Sequence, residues 1–196
     1  MTDRETLSVY DAQAEDYKKR FSGTATQNVT RFLSHLAPAS RILDVGCGPG
    51  GASLSMQEAG HSVIAIDASQ GMVETARASG VDARQASFDD LPSFGPVDAV
   101  WANFSLLHAP RADLPRHLSD IRGILPTGGI FHIGMKTGSG EKRDALGRRY
   151  SYVSQSELTD LMKTARLSVF DAQTGASEGL DGVTASWVIL LARADD

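Results

Sequence analysis

Residues 41–51 read RILDVGCGPGG and contain the strongest structural signal in the chain. Its first half, RILDV, is typical of a buried strand, and glycines at 46, 48 and 51 follow it with G-x-G-x-x-G spacing, ahead of a helical pattern. Glycine lets the backbone turn sharply and approach a ligand closely, and the N-terminus of a helix offers free N–H groups. The stretch therefore predicts a strand, a turn and a helix that together bind a nucleotide-like ligand.

Strand-like and helix-like segments alternate along the rest of the chain. The predicted strands are SVIAID (62–67), VDARQAS (81–87), VDAVWAN (97–103) and TGGIFHIGM (127–135), with helical apolar stripes between them. This alternation is typical of an α/β fold with a mostly parallel sheet. Two further strands, LSVFDA and ASWVILLA, are joined by a glycine-containing stretch and predict an antiparallel hairpin at the end of the sheet.

The length of 196 residues favours a single domain over 1–196. We expect four parts within it: an N-terminal helical lid over 1–38, a cofactor-binding core over 39–136, a mobile substrate loop over 137–153, and a C-terminal helix and hairpin over 154–196. The loop is expected to be mobile because it is rich in glycine and charge and poor in residues that enter a core.

Composition excludes several classes of function. The formal net charge is −5, so the field of the protein would repel a nucleic-acid backbone. A single cysteine, Cys47, excludes an intramolecular disulfide and a cysteine-cluster metal site, and no metal is expected. No apolar run is long enough to cross a bilayer and the N-terminus lacks an apolar signal core. We therefore expect a cytoplasmic protein without a membrane or nucleic-acid partner.

Two acidic residues flank the glycine turn. Asp67 ends the second predicted strand, where a carboxylate accepts hydrogen bonds from ribose hydroxyls, as it does in NAD-binding proteins. Asp44 lies two residues before Gly46, where it would repel a pyrophosphate but attract an ammonium group, directly or through water. The amino-acid end of S-adenosylmethionine carries such a group. Because the chain also lacks room for a second catalytic domain, S-adenosylmethionine is the favoured cofactor.

The chain resembles class I S-adenosylmethionine-dependent methyltransferases. The resemblance rests on DVGCGPGG, Asp67, FDDLP, WANFSLLH and LPTGGIFHIG, taken in that order. It implies a Rossmann-like seven-stranded, mostly parallel sheet with helices on both faces and an antiparallel last strand. It also implies a cofactor across the carboxyl ends of the first strands and an acceptor above the fourth.

A narrower resemblance covers the middle and the end of the chain. WANFSLLHAP followed by GEKRDALGRRYSYVS is similar to a group of small stand-alone bacterial methyltransferases, loosely likened to tellurite-resistance methyltransferases. For this group the acceptor varies, because the lids and loops change while the cofactor frame is kept.

The resemblance assigns roles to individual positions. Gly46, Cys47 and Gly48 would meet the methionine part of the cofactor, Asp67 and Ala68 the ribose and adenine, and Met72 would pack on the adenine. In QASFDDLP, Ser87 replaces the aspartate with which the family usually meets the adenine amino group. Ser87 would accept a hydrogen bond from the adenine instead, and the Phe88 backbone N–H would donate one to it. Positions that line the methyl-transfer site in the family are matched by Asn103, Phe104 and Ser105.

For three groups of residues the sequence allows both a structural and a functional interpretation. Tyr10 and Tyr17 either anchor the first helix on the core or close over the cofactor. His108 is either a packed, hydrogen-bonded residue or a base that removes or steers an acceptor proton. The run with Lys142, Arg143, Arg148 and Arg149 is either a solvated surface or a lid. In the lid, the residues that select an anionic acceptor would be Arg143, Arg148, Tyr150 and Tyr152.

The sequence thus predicts a methyltransferase that moves a methyl group from S-adenosylmethionine directly, in line, to a small acceptor and releases S-adenosylhomocysteine. Two alternatives remain open at this point, a nicotinamide-dependent oxidoreductase and a binding module for S-adenosylmethionine that does not catalyse. The sequence contains no signal for the identity of the acceptor or for the oligomeric state.

Overall fold

The computed structural model describes residues 3–21 and 26–196. The helices are α1 (Arg4–Phe21), α2 (Thr26–Leu33), α3 (Gly51–Glu58), α4 (Gln70–Ala78), α5 (Leu114–Ile124) and α6 (Gln155–Thr164). The strands are β1 (Arg41–Val45), β2 (Ser62–Asp67), β3 (Ala83–Gln85), β4 (Ala99–Asn103), β5 (Ile130–Lys136), β6 (Glu141–Arg143), β7 (Arg149–Ser151), β8 (Leu167–Glu178) and β9 (Thr184–Ala194). Of the expected helical part over 1–38, residues 1–2 and 22–25 lie outside the described residues.

Seven strands form one sheet in the order β3-β2-β1-β4-β5-β9-β8. The first five strands are parallel, and β9 runs antiparallel to both β5 and β8. This topology confirms the predicted α/β fold with an antiparallel last strand. The strand order reverses between β1 and β4, and in parallel α/β sheets the crevice beyond the strand ends at such a point is where ligands bind.

Helices cover both faces of the sheet, as predicted. Alternate residues of each central strand point to opposite faces, so that Leu43 packs into one cluster and its neighbour Ile42 into another. The first cluster takes the apolar stripes of α5 and α6, and the second takes those of α2 and α3. After the exposed Arg41, β1 is therefore buried on both faces, which explains why Ile42, Leu43 and Val45 are apolar, with Asp44 as the buried exception.

The local signals that end and begin helices act as the sequence predicts. The Ser69 side chain accepts a hydrogen bond from the Met72 N–H at the start of α4, and Gly80 follows the helix with φ +93°. Ser154 caps α6 in the same way through the Glu157 N–H. Helix boundaries were therefore predictable from local chemistry.

The segment 137–153 differs from the loop predicted from its composition. It contains a two-stranded antiparallel hairpin, β6 and β7, in which Glu141 pairs with Ser151 and Arg143 with Arg149. Arg148 and Tyr150 are only 2% and 3% exposed. The hairpin was not predicted from composition because its buried positions, Arg148 and Tyr150, carry a charged and a polar aromatic side chain rather than aliphatic ones. The mobility of the segment stays a prediction.

No helix in the described part of the chain combines the length and the apolar character that crossing a membrane requires.

Two phenylalanines in the sheet allow a test of where the core lies. Phe131 in β5 is fully buried, whereas Phe170 in β8 is 41% exposed. We expect Phe131→Ala to lower the free energy of unfolding by about 3–5 kcal/mol, because it removes buried contacts and leaves a cavity. The matched variant Phe170→Ala is expected to cost below about 1 kcal/mol. Urea unfolding followed by circular dichroism measures both, and equal losses would contradict this account of the core.

Candidate active site

A cavity lies at the carboxyl ends of β1, β2 and β4, where the sheet topology places a ligand. It is closed on one side by α1, through Leu7, Tyr10 and Tyr17. Of the residues predicted for the site, those that line this first cavity are Tyr10, Tyr17, Gly46, Gly48, Asp67, Ala68, Met72, Phe88, Asn103, Phe104, Ser105 and His108. Residues far apart in sequence are thus brought to one edge of the sheet.

The turn after β1 depends on its glycines. Gly46 has φ +72° and Gly48 has φ +52°, a region that residues with a side chain rarely adopt. A Cβ atom on Gly46 would lie 2.3 Å from the Cβ of Ser105, which is closer than two carbons approach. The Gly46 and Cys47 N–H groups both donate to the Ile66 carbonyl. The turn is therefore packed against the ends of both β2 and β4.

Asp67 joins this turn to the start of α4. The Gly48 N–H donates to Asp67 Oδ2 and the Ser69 N–H donates to Oδ1, each at 2.9 Å. Burial raises the pKa of the Asp67 carboxyl, while these two bonds lower it. A carboxylate oxygen accepts two hydrogen bonds, so each oxygen retains a free lone pair. Asp67 lines the cavity and can therefore accept bonds from a pair of ligand hydroxyls.

Asp44 lies behind the cavity rather than in its wall. Its side chain is 1% exposed and accepts a bond of 2.6 Å from Ser53 Oγ, and burial raises its pKa to about 7. Asp44 is absent from the described lining of both cavities. Its predicted contact with an ammonium group, directly or through water, stays a prediction.

The far end of the first cavity is apolar. Met72 is buried there, and Phe88 lies opposite, edge-on to the ring of His117. Ala86 lines the same end and was not predicted. A flat, weakly polar ring fits between such side chains, which agrees with the adenine role given to Met72 and Phe88.

Ser87 and Cys47 are turned away from this space among the described residues. Ser87 Oγ donates to Asp90 Oδ2 at 2.8 Å and caps the short 3-10 helix over Phe88–Phe94. Cys47 is 7% exposed, burial raises its pKa, and its Sγ–H donates to the Gly48 carbonyl. Neither side chain lines a cavity, because one is used for capping and the other fills the tight turn.

Two buried polar groups in the cavity wall have no partner within the described residues. They are Ser105 Oγ, on a side chain 7% exposed next to Gly46, and the Nδ1 atom of His117, on a side chain 2% exposed. A buried polar atom without a hydrogen bond costs about 1–3 kcal/mol, and such atoms are paired in most proteins. Both atoms lie beside the cavity, so a polar ligand in it is the natural partner.

His108 and Tyr10 form a directed chain of hydrogen bonds. His108 Nδ1 lies 2.6 Å from the Arg149 carbonyl oxygen, which only accepts, so Nδ1 carries the proton. His108 Nε2 lies 2.7 Å from the Tyr10 hydroxyl, which donates to it, and Arg148 Nη1 donates to the same hydroxyl at 3.1 Å. Burial lowers the pKa of His108 to about 4. The imidazole is therefore neutral at pH 7, with Nε2 as its acceptor.

The N-terminal helix is fastened at several points along its length. Asp11 Oδ1 accepts bonds from Ser69 Oγ and the Gly71 N–H, at 2.6 and 3.0 Å. Thr6 Oγ1 accepts the Arg149 N–H at 2.8 Å. Asp3, at the start of the helix, forms two bonds with the Arg143 guanidinium. Helix α1 is thus held between α4 and the β6–β7 hairpin, directly over the cavity.

A second cavity, with a volume of about 330 Å³, adjoins the first. Four residues line both: Tyr10, Tyr17, Phe104 and His108. The remaining walls of the second cavity come from the ends of β5, β7, β8 and β9 and include Arg148 and Tyr150. The two cavities therefore meet at the tyrosines of α1 and at the segment just after β4.

The arginines of the charged segment 142–149 differ in their burial. Arg148 is 2% exposed and forms a salt bridge of 2.6 Å with Asp144, so its interpretation as a solvated surface residue is wrong. Arg143 lies on the surface and pairs with Asp3 and Glu5. Among the described residues, neither Arg143 nor Tyr152 lines a cavity, because the hairpin directs them away from it.

Several lining residues were not predicted from the sequence. Lys136 and Trp187 line the second cavity, and His117 lines the first. Lys136 ends β5 and therefore lies at the ligand-binding edge of the sheet. Its position at the end of a predicted strand could have indicated this. Trp187 pairs with Gly175 across β8 and β9, and only the register of that hairpin brings it to the site.

Comparison with known proteins finds a matching family model. Residues 42–129 match a model described as "Methyltransferase domain". With the seven-stranded topology described above, this match confirms the predicted resemblance to class I S-adenosylmethionine-dependent methyltransferases. The match favours S-adenosylmethionine over a nicotinamide cofactor.

One curated relative is trans-aconitate 2-methyltransferase of Delftia acidovorans. It is 35% identical over 96 residues, which are 44% of this chain and 36% of that protein. The chain spans between 36% and 55% of the length of three such relatives. The matched stretches cover between 44% and 53% of this chain in the same three comparisons.

Solved structures share the fold over nearly the whole chain. The 1,6-didemethyltoxoflavin-N1-methyltransferase of Burkholderia thailandensis, solved with 1,6-didemethyltoxoflavin and S-adenosylhomocysteine, has a TM-score of 0.79 at 21% identity, covering 98% of this chain and 88% of that one. TehB from Haemophilus influenzae has a TM-score of 0.71 at 18% identity, covering 93% of this chain and 67% of that one. At these identities the likeness shows the fold.

Within the described residues, no group of three or more His, Cys, Asp or Glu side chains is arranged to hold a metal ion.

The neutral state of His108 makes stability depend on pH. Its pKa of about 4 in the folded protein lies below the ordinary value of 6.5, so the unfolded chain takes up the proton first as the pH falls. The free energy of unfolding should therefore fall between about pH 6.5 and pH 4. We expect His108→Gln to reduce that fall by about 2–3 kcal/mol.

Urea unfolding at pH 7 and pH 4 measures the effect, with the exposed His35→Gln as the control for replacing an imidazole. An unchanged pH dependence in His108→Gln would mean that His108 is not held neutral by burial.

Proposed function

We infer that this protein is an S-adenosylmethionine-dependent methyltransferase that transfers a methyl group directly, in line, to a small-molecule acceptor. The observation that carries this inference is the junction of two cavities at Tyr10, Tyr17, Phe104 and His108. The first cavity has the features of a cofactor site and the second has space for an acceptor. A donor and an acceptor placed in them would meet at that junction.

The first cavity fits the cofactor at each of its parts. Asp67 would accept bonds from the two ribose hydroxyls, and Met72 and Phe88 would hold the adenine. The glycine turn and the unpartnered Ser105 hydroxyl would receive the amino-acid end. The predicted roles of Asn103 and Phe104 fit their place in the lining of the first cavity, and Phe104 also lines the second.

Asn103 is held in a fixed orientation. Its Oδ1 lies 3.0 Å from His132 Nε2, and His132 is stacked on Trp101 with the ring centres 3.7 Å apart. Burial lowers the pKa of His132 to about 3, so the ring is neutral and donates from Nε2 to the amide oxygen. The amide nitrogen of Asn103 is then free to donate toward the cavity.

When bound, S-adenosylmethionine supplies a methyl group that its sulfonium already activates. The protein must therefore bring the acceptor atom in line behind that group and exclude water. Orientation of two reactants can contribute about 7–11 kcal/mol to lowering a bimolecular barrier. Helix α1, fastened over the junction through Asp11 and Thr6, supports both tasks.

His108 supports a secondary role as a proton acceptor that works through Tyr10. An acceptor hydroxyl that donates to the Tyr10 oxygen can pass its proton there while the Tyr10 proton moves to His108 Nε2. The resulting imidazolium keeps its bond from Nδ1 to the Arg149 carbonyl. Because burial disfavours the charged ring, positioning rather than strong base catalysis is the main contribution of this chain.

The size of the second cavity supports a small acceptor. A volume of about 330 Å³ is at the lower end of the range for small-molecule sites. One relative is a trans-aconitate methyltransferase, and one structural neighbour was solved with a small heterocycle bound. Both are consistent with an acceptor that is enclosed rather than a macromolecule.

Calorimetric titration tests the cofactor assignment. We expect S-adenosylmethionine and S-adenosylhomocysteine to bind and NAD not to bind. Asp67→Asn should weaken binding at least tenfold, because the neutral amide loses a charge-assisted acceptor for the ribose hydroxyls. The matched control is Asp82→Asn, since Asp82 is exposed and lies outside both cavities.

Binding of NAD without S-adenosylmethionine would overturn the proposal. Binding of S-adenosylmethionine with no release of S-adenosylhomocysteine across a broad panel of acceptors would instead favour the module that binds and does not catalyse.

A further inference from the structure

The second cavity contains a lysine to which no function has been assigned. Lys136 ends β5, is half-buried, and lines the second cavity but not the first. Its ammonium group lies over the ring of Tyr150, 4.0 Å from the ring centre. Lys136 therefore places a positive charge in the wall of the space that we assign to the acceptor.

Lys136 has no direct ion pair among the side chains that the structure describes, since none of their carboxylates lies within 4.0 Å of Lys136 Nζ. Asp181 and Asp144 attract the ammonium group only from beyond that distance. The other cation of the lining, Arg148, is paired with Asp144 at 2.6 Å. Glu178 lies in an exposed part of the lining and is engaged in interactions of its own. Lys136 thus offers the cavity an ammonium group that no described carboxylate contacts directly.

Holding an ammonium group there is costly without a ligand. Removal from water disfavours the charged form, and burial lowers the pKa of Lys136. The contact with the Tyr150 ring recovers only part of this cost. An anionic group in the cavity would restore the charge balance and strengthen the ammonium form.

The remaining walls favour a flat ligand. Trp187, Phe104, Tyr17 and Tyr150 present aromatic rings to the cavity, and Phe104 meets Trp187 edge-on with centres 6.3 Å apart. Aromatic walls stack with planar rings and exclude water from the charged group. The cavity thus combines aromatic walls with the ammonium group of Lys136.

We propose that Lys136 recognises the acceptor as a planar aromatic compound bearing a carboxylate, which pairs with the Lys136 ammonium group. This rests on the proposed function, since the cavity is assigned to the acceptor there. Lys136 does not line the cofactor cavity, whereas the junction lies at Tyr10 and His108. The paired carboxylate therefore anchors the acceptor, and the methylated atom is a different atom of the same molecule.

Ligand-observed NMR titration of three matched probes tests the proposal: 2-naphthoate, 2-naphthamide and 2-naphthylmethylamine. With S-adenosylhomocysteine present, we expect the carboxylate to bind roughly tenfold more tightly than the amide, since a charge-assisted pair replaces a neutral bond. The amine should bind most weakly. Lys136→Met should reduce the affinity for 2-naphthoate to that for 2-naphthamide and leave the amide unaffected, and Lys136→Arg should retain the preference.

Lys142→Met is the matched control, because Lys142 is exposed on β6 and lines neither cavity. All variants should bind S-adenosylhomocysteine as the wild type does, which also reports that they are folded. The proposal is overturned if the wild type does not prefer the carboxylate, or if the preference survives in Lys136→Met. The binding of S-adenosylhomocysteine is measured separately, so that a failure of cofactor binding contradicts the proposed function and a missing preference for the carboxylate contradicts this proposal.

Discussion

The close approach of the Gly46 backbone to the Ser105 side chain brings the end of β1 against the end of β4, and the arrangement of the site depends on it. No side chain fits at Gly46, since a Cβ atom there would lie 2.3 Å from that of Ser105. This contact leaves the first cavity beside the turn and places Phe104 and His108 at its mouth. The glycine is therefore required for packing between two strands as well as for the turn itself.

A second constraint is the way in which α1 is held over the strand ends. The helix is bonded to α4 through Asp11 and to the β6–β7 hairpin through Thr6, and the Tyr10 hydroxyl joins it to His108. The hairpin is in turn ordered around the buried pair of Arg148 and Asp144. The walls of both cavities are thus stabilised by polar contacts between segments distant in sequence, while the sheet beneath is stabilised by apolar packing.

The sequence predicted residues that line the first cavity better than it predicted those that line the second. Gly46, Gly48 and Asp67 were identifiable because strand, turn and helix signals place them next to one another. Ser87 was predicted to face the adenine, but its hydroxyl caps a 3-10 helix through Asp90. On the acceptor side, Arg143 and Arg148 have the same chemistry and nearly adjacent positions, and only the hairpin decides that one is exposed and the other buried.

The α/β fold, the glycine turn and the acid that follows it can be read from the sequence, because they depend on periodicity and local backbone chemistry. Which side chains form the second cavity is known only from the folded chain. Lys136, Tyr150 and Trp187 come from β5, β7 and β9, and their meeting depends on strand order and register. No local pattern encodes such a meeting, since it follows from the packing of the whole chain.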